Sequence, residues 1–450
     1  MDEIRILSPT AILGYGFPRE SFLRGMKASP HVIAVDAGSS DPGPFYLGHG
    51  KSFVDRNAVK RDLEIMITQG KKHGIPVIIG TAGGSGAKVH VDWCMEIIRE
   101  IVRAHRLRLR TALVYSDVEK KTVIQNLQKK KIRPLPFAPS LTPKIVRNTT
   151  RVVAQIGVDP LIKALSKPVD LVVAGRCYDP AVFAALPVKE GFDLGLALHL
   201  GKILECAAIA ASPGSGRDCV LGILKKNSFI LQTLSPNRRF TVNSVAAHTL
   251  YEKSHPFILP GPGGHLDLSQ CRFRQKTPNS VEVSGSQFVP DTPCTVKIEG
   301  AVCVGYRTIS ICGIRDRIMI RQLDDIFAAV REAVKNNFGV RDYRLNFRVY
   351  GRDGVMGPLE PAPQEIGHEA GVIIDVVAAT QEEANTICGF TRSTALHYGY
   401  PGRIATAGNL AFPFSPSDTP MGAVYEFSIY HLMDIAGPSN LFPVKSMILN

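Results

Sequence analysis

The sequence predicts an α/β protein: a doubly wound, Rossmann-like parallel sheet in the first half, followed by an α+β domain with a ferredoxin-like layer. Three observations carry this. Short, continuous apolar runs recur at 31–38, 75–84, 110–118 and 170–177. Helical patterns separate them at about 58–73, 88–105, 117–130 and 144–166. After about 225 the texture changes to alternating, β-branched segments.

The four runs, HVIAVDAG, IPVIIGTAGG, RTALVYSDV and DLVVAGRC, are apolar throughout rather than alternating. A strand covered on both faces needs that composition. Strand–helix–strand alternation at this spacing favours right-handed βαβ units. A helix at about 195–210 closes the region. In the second half, SFILQTL, RFTVNSV, SVEVSGSQF, CTVKIEGAVCVGYRTISICGI and RDRIMI read as antiparallel strands. A helix at about 322–338, two strands (YRLNFRVYG and GVIIDVVAA) and a helix at about 381–398 follow, the last opened by Thr380 and Glu383 in a capping-box spacing. The order β-α-β-β-α is the basis for the ferredoxin-like layer. Pro256–Gly264 reads as a connecting loop, and the stretch after 400, rich in Pro, Gly and Ser, as irregular.

A chain of 450 residues, 45% of them apolar, exceeds what one core usually holds, so two domains are expected, 1–225 and 226–450. No apolar run approaches the roughly 18–20 residues of a membrane span, and the N-terminus lacks the pattern of a signal peptide. The nine cysteines are scattered, with no Cys-x-x-Cys pair, which suits reduced thiols and a cytoplasmic setting. The net charge of +13 is concentrated at Arg103–Arg110 and Lys120–Arg133. Neither cluster is interleaved with aromatics or belongs to a nucleic-acid module, so they read as solvated helix faces, with a diffuse field that draws in small anions. Neither nucleic acid nor membrane is an expected partner. A homo-oligomer is expected, since antiparallel edges need covering.

In an open α/β sheet, ligands bind outside the carboxyl ends of the strands. Here those ends deliver Asp36, Ser39, Ser40 and Asp41; the turn Gly80–Gly86 with Gly83, Gly84, Ser85 and Gly86; Ser116 and Asp117; and Arg176, Cys177, Tyr178 and Asp179. The glycine turn leads into a helix, where free amides and the dipole favour an anion. It is neither a Walker A loop nor a dinucleotide fingerprint. GGSGA around Ser85 approaches a nucleophile elbow but ends in Ala87. Arg176 suits bidentate carboxylate binding. Asp36 and Asp41 share one turn, where one can act as a base or both can hold Mg²⁺ or Mn²⁺, although nothing in the sequence requires a metal. Plainer readings stand beside these: Asx-turn bonding for Asp36, a capping box for Ser116 with Glu119, and an N-cap for Asp179 before Pro180. Glu205 lies in a strongly apolar helix, which makes it a candidate acid or base, or a core ion pair with Arg176. His248, Glu252, His255, His265 and Asp267 cluster around the 256–264 loop without zinc spacing, and one of them can serve as a proton donor.

DAGSSDPGPFYLG, GTAGGSG, AGRCYDPAVF, LGKILEC and AAHTLYEKSHPF…PGPGGHLDLS, in that order, resemble the acyclic terpene utilisation (AtuA-like) family over roughly 1–440. The resemblance implies breakdown of branched acids, with a small companion protein of the same pathway. It points to a lyase or hydratase acting on a small branched di- or tricarboxylate or its CoA ester. The alternative is a non-catalytic subunit that binds a metabolite or partner within a larger complex. The chain has Ala207 where the family more commonly has glycine after Glu-Cys.

Overall fold

The computed structural model describes residues 2–252, 254–339, 342–362, 364–365, 367–437 and 441–450. The chain forms two compact units, residues 1–302 with 427–450, and residues 303–426.

The first unit is built on a ten-stranded mixed sheet. Across it the strands run Arg272–Thr277, Ser280–Ser284, Phe229–Thr233, Val220–Lys225, Glu3–Ser8, Val32–Asp36, Val77–Gly80, Leu171–Ala174, Leu109–Val114 and Val444–Leu449. The five from Glu3–Ser8 to Leu109–Val114 are parallel, and every pairing outside them is antiparallel. The four predicted apolar runs are four of these five parallel strands. The sheet is therefore mixed rather than purely parallel, because segments from the second half of the sequence extend it.

Both faces of the core are covered, as continuous apolar strands require. Phe22, Leu63, Val91 and Ile98, from helices Arg19–Lys27, Arg56–His73 and Lys88–Ala104, pack with Leu7, Ile33, Val35, Ile79 and Val173. Leu161, Val182, Phe183, Leu200 and Leu204 pack on the other side with Ile6, Ala34, Ile78, Val114 and Val172. Alternate residues of one strand thus enter two different cores.

Several segments depart from the sequence expectations. Residues 144–166 are not one helix: Pro143–Asn148 and Val158–Ala164 flank a strand, Arg151–Ala154, which pairs with residues 298–301. RFTVNSV contributes to helix Val242–Thr249 instead of a strand, capped reciprocally by Thr241 and Ser244. RDRIMI forms helix Arg317–Arg321, with Asp316 accepting from the Ile318 amide. The 256–264 loop holds part of a hairpin, Ile258–Gly261 with Gly264–Asp267. The region after 400 is not irregular throughout, since it contributes strands Asp418–Asp434 and Val444–Leu449. A short first strand, Glu3–Ser8, lies outside the four apolar runs.

The second unit contains strands 306–314, Arg344–Tyr350, Ala370–Ala378 and 418–426, with helices Leu323–Phe338 and Gln381–His397. Ala370–Ala378 lies between the first two of these strands and is antiparallel to both. Leu323, Phe327, Val330, Ile387 and Cys388 pack on Ile314, Val349, Val372 and Ile374. The predicted cap is present, with Thr380 Oγ1 accepting from the Glu383 amide at 3.2 Å. The element order is β-α-β-β-α-β, its first five elements as the sequence pattern suggested.

The glycine turn is tightly enclosed. Gly83, Gly84 and Gly86 have φ of 71°, 103° and 70°, in the left-handed region that favours glycine. A Cβ on Gly86 would lie 2.1 Å from the Arg176 backbone nitrogen. Gly86→Ala combines a strained φ with a backbone clash, so it should destabilise the protein by about 2–5 kcal/mol, measurable by urea denaturation.

Candidate active site

The carboxyl ends of the parallel strands converge as expected. A Cβ on Gly38 would meet the Gly84 carbonyl at 2.5 Å, and one on Gly175 would meet Ser116 Oγ at 2.4 Å. The turns after Val32–Asp36, Val77–Gly80, Leu109–Val114 and Leu171–Ala174 therefore form one packed edge.

Asp36 sits at its centre. The residue is 6% exposed; Oδ2 accepts from the Gly38 amide at 3.2 Å, and Oδ1 has no hydrogen-bond partner among the described residues. The Asx-turn bond is thus present, but it uses only one oxygen. Burial, with the charges of Asp179 and Glu205, holds the Asp36 carboxyl well above the usual carboxylate range. Asp41, by contrast, is exposed, and its amide donates to Ser39 Oγ at 3.1 Å. The carboxylates that press on Asp36 are Asp179 and Glu205.

Arg176 is 2% exposed and committed to protein partners. Its Nε donates to Glu299 at 3.0 Å, and its Nη1 donates to Asp179 at 2.9 Å and to the Cys177 carbonyl at 2.6 Å. Glu299 also pairs with Lys297 at 2.6 Å. Burial opposes ionisation of Glu299, but Arg176 and Lys297 outweigh it and hold the carboxyl down to about 2. Strand Arg151–Ala154 brings Glu299 here: Val153 is paired with Glu299, and the Ala154 amide donates to the Ser116 carbonyl. Reading 144–166 as a helix hid both this strand and the arginine's main partner.

Glu205 pairs with Lys202 rather than with Arg176. Lys202 Nζ donates to Glu205 Oε1 at 2.5 Å, and both side chains are less than a tenth exposed. Burial raises the Glu205 carboxyl to about 8 even though Lys202 opposes it, and Asp179 adds to the rise. Ala207, just beyond, has φ +47°, which explains why a glycine would suit this position. Burial also raises Asp179, against the pull of Arg176. The network thus places four carboxylates (Asp36, Asp179, Glu205 and Glu299) among three cations (Arg176, Lys202 and Lys297). The surplus carboxylate favours retention of one proton near neutrality, and Asp36, with an unpartnered oxygen, is where burial presses hardest.

The remaining candidates have narrower roles. Asp117 Oδ2 accepts from the Lys88 amide at 2.7 Å, so it occupies part of the helix N-terminus that the glycine turn was expected to offer an anion. The Thr81, Ala82 and Gly84 amides donate to backbone carbonyls. Ser85 is 1% exposed, and its Oγ has no partner among the described residues, so no histidine activates it. Ser116 does not cap a helix with Glu119: its Oγ donates to the Gly86 carbonyl and accepts from the Arg176 amide. Asp179 is the first helical residue, after Tyr178 as N-cap, and its side chain serves Arg176. His255 Nδ1 accepts from the Phe257 and Ile258 amides, and His265 pairs with Asp291.

A cavity of about 580 Å³ opens beside the edge, with Ser40 and Asp41 in one wall and Phe137, Phe427 and Tyr430 in the others. Lys297 Nζ lies 3.4 Å from the Tyr430 hydroxyl, so the cavity wall touches the charge network. Among the described residues, no group of three or more His, Cys, Asp or Glu could hold a metal ion. No helix among them is long and apolar enough to cross a membrane.

Two stability measurements check this electrostatic picture. The folded Asp36 carboxyl titrates above its unfolded value, so the folded chain binds the extra proton, and stability is lost as pH rises from about 4 towards the folded pKa. Asp36→Asn should escape that loss and gain on the parent as pH rises above about 4, by at most about 1.4 kcal/mol per pH unit. Equal pH slopes for both proteins would contradict the assignment. Arg176→Ala, which strips Glu299 and Asp179 of a buried partner, should cost about 3–5 kcal/mol in denaturant unfolding.

The family model described as acyclic terpene utilisation family protein AtuA matches residues 52–214 and 225–415. No curated protein and no solved structure shows a significant match to the chain. The matched segments take in the glycine turn, Arg176, Asp179, Lys202, Glu205 and Glu299, and they span most of the sequence: the chain belongs to the acyclic terpene utilisation family.

Proposed function

We propose that the chain is an acid–base enzyme of branched-carboxylate catabolism, a lyase or hydratase acting on a small branched di- or tricarboxylate or its CoA ester. The observation that carries this reading is the pair of buried carboxyls Asp36 and Glu205, with the part-buried Asp179 beside them, at the carboxyl edge of the sheet, held against Lys202 and Arg176. Adding or removing water beside a carboxylate needs a base for the carbon-bound proton and an acid for the departing or entering oxygen. Two carboxyl groups whose environments differ can divide those roles.

In this reading Asp36 is the proton-bearing acid, since burial and like charges keep it neutral. Glu205, whose carboxyl burial raises to about 8 against the pull of Lys202, is the base in its deprotonated form. Arg176 positions Asp179 and Glu299, and it shapes the local field rather than gripping substrate. Ser40 and Asp41 line the approach, Ser39 accepts from the Asp41 amide, and the turn 83–86 packs against Gly38 and Arg176. In the alternative version Mg²⁺ or Mn²⁺ would be held by Asp36, with Asp41 exposed on the same turn, and would supply charge stabilisation. A homo-oligomer and a small companion protein of the same pathway belong to this proposal as well.

The test is turnover on a panel of branched acids and their CoA esters, with and without the companion. Asp36→Asn should lower kcat by roughly 10²–10⁴-fold in a folded protein. Activity unaffected by chelator would favour acid–base work by the side chains alone, while loss restored by Mg²⁺ would favour the metal version. Near-normal turnover of Asp36→Asn would overturn both.

A further inference from the structure

We infer that Lys202, His248 and Tyr251 form a carboxylate-binding site, in which the carboxylate of a small branched acid takes the place held by Glu252 in this structure. The site deepens the proposed function, since it supplies the substrate recognition that the chemistry needs beside Glu205.

Lys202 is the first element. Its side chain is 8% exposed, and its ammonium has three N–H donors. One of them meets Glu205 Oε1 at 2.5 Å. On another side stands Glu252 Oε2 at 3.6 Å, an ion-pair separation too long for a hydrogen bond. A buried ammonium thus faces a carboxylate that does not fully satisfy it.

His248 is the second, independent element. It is 7% exposed, and its Nε2 has no hydrogen-bond partner among the described residues. Its ring stacks on Tyr251 with centroids 5.3 Å apart and planes 14° apart, and Lys202 Nζ lies 5.4 Å from the centroid of the same ring. Burial and the neighbouring Lys202 charge lower the imidazole to about 4, so it is neutral at pH 7 and can present an N–H. A carboxylate has two oxygens and accepts several hydrogen bonds, which suits one ammonium and one imidazole N–H.

Glu252 accepts a hydrogen bond from the Tyr251 hydroxyl, the bond an incoming carboxylate would take over, yet it has the features of an occupant that can leave. Its side chain is 51% exposed, and its backbone has φ +58°, a region that disfavours residues other than glycine. Leu250 and Tyr251 beside it are 52% and 47% exposed, so the turn opens to solvent with an apolar rim suited to a branched carbon chain. A carboxylate on Lys202 would lie next to Glu205, because the one ammonium serves both.

Calorimetry with methylsuccinate, its dimethyl ester and inorganic phosphate tests the assignment. Methylsuccinate should bind the parent protein, the diester should not, and phosphate should bind more weakly. Glu252→Gln removes the internal competitor and should tighten methylsuccinate roughly 10–100-fold. Lys202→Met combined with Glu205→Gln removes both buried charges together, so that neither is left without the other, and should weaken binding by a similar factor. Unchanged affinity in either variant, equal affinity for phosphate, or no methylsuccinate binding even by Glu252→Gln would overturn the proposal. Binding is read without turnover, so loss of catalysis in Asp36→Asn with these affinities intact would separate this site from the chemistry proposed for Asp36.

Discussion

A buried arginine organises the candidate active site. Placing the Arg176 guanidinium inside the protein removes its hydration, a cost of several kcal/mol that only well-placed acceptors offset. Glu299 and Asp179 provide them at 3.0 and 2.9 Å. Much of the local architecture answers to that requirement. Residues 151–156 run between the ends of two parallel strands and the 298–301 segment, and they hold Glu299 in register. Gly86 has no side chain, so the glycine turn can press against the arginine's backbone. Asp36 then occupies a place where charge is already crowded, and its carboxyl takes the remaining strain as a raised proton affinity.

The fold was legible where the physics is local and periodic. The four apolar runs became central parallel strands because an uninterrupted β-branched run can be buried on both faces. Thr380 with Glu383 marked a helix start because a side-chain oxygen there meets a free amide. The failures have equally specific causes. Residues 151–154 are only four long, and no local pattern separates so short a strand from a flanking helix; its identity is set by residues 298–301, far along the sequence. RFTVNSV looks extended by composition, yet the Thr241–Ser244 cap and the packing of Val245 make a helix there. The mixed character of the sheet was hidden for the same reason, since strands such as Val220–Lys225 and Val444–Leu449 reveal their partners only in space.

The site was legible as a list of strand-end residues but not as a set of partnerships. Asp36, Glu205, Arg176 and Asp179 could be nominated because a charge in an apolar context, or at a strand end, is costly unless it has work to do. Which charge answers which was not readable. Asp41, five residues from Asp36, looked like its natural partner, yet it is exposed on the turn, while Asp179 and Glu205 come from distant segments. Lys202 passed unnoticed as one basic residue in an apolar helix. Its position three residues before Glu205 was the available clue, since that spacing places both on one helical face.

The order of strands in the parallel core also bears on how the chain is made. Leu171–Ala174 lies between Val77–Gly80 and Leu109–Val114, although both neighbours precede it in the sequence. A chain emerging from the ribosome therefore presents two strands with a vacant position between them until some sixty further residues have been synthesised. Unpaired strand edges invite wrong pairing, and non-local parallel contacts form slowly. The strand that fills the gap leads directly into Arg176 and Asp179, so assembly of the charged edge and completion of the sheet become one late, cooperative event. Nascent chains that end before about residue 180 would be the aggregation-prone species that chaperones must hold.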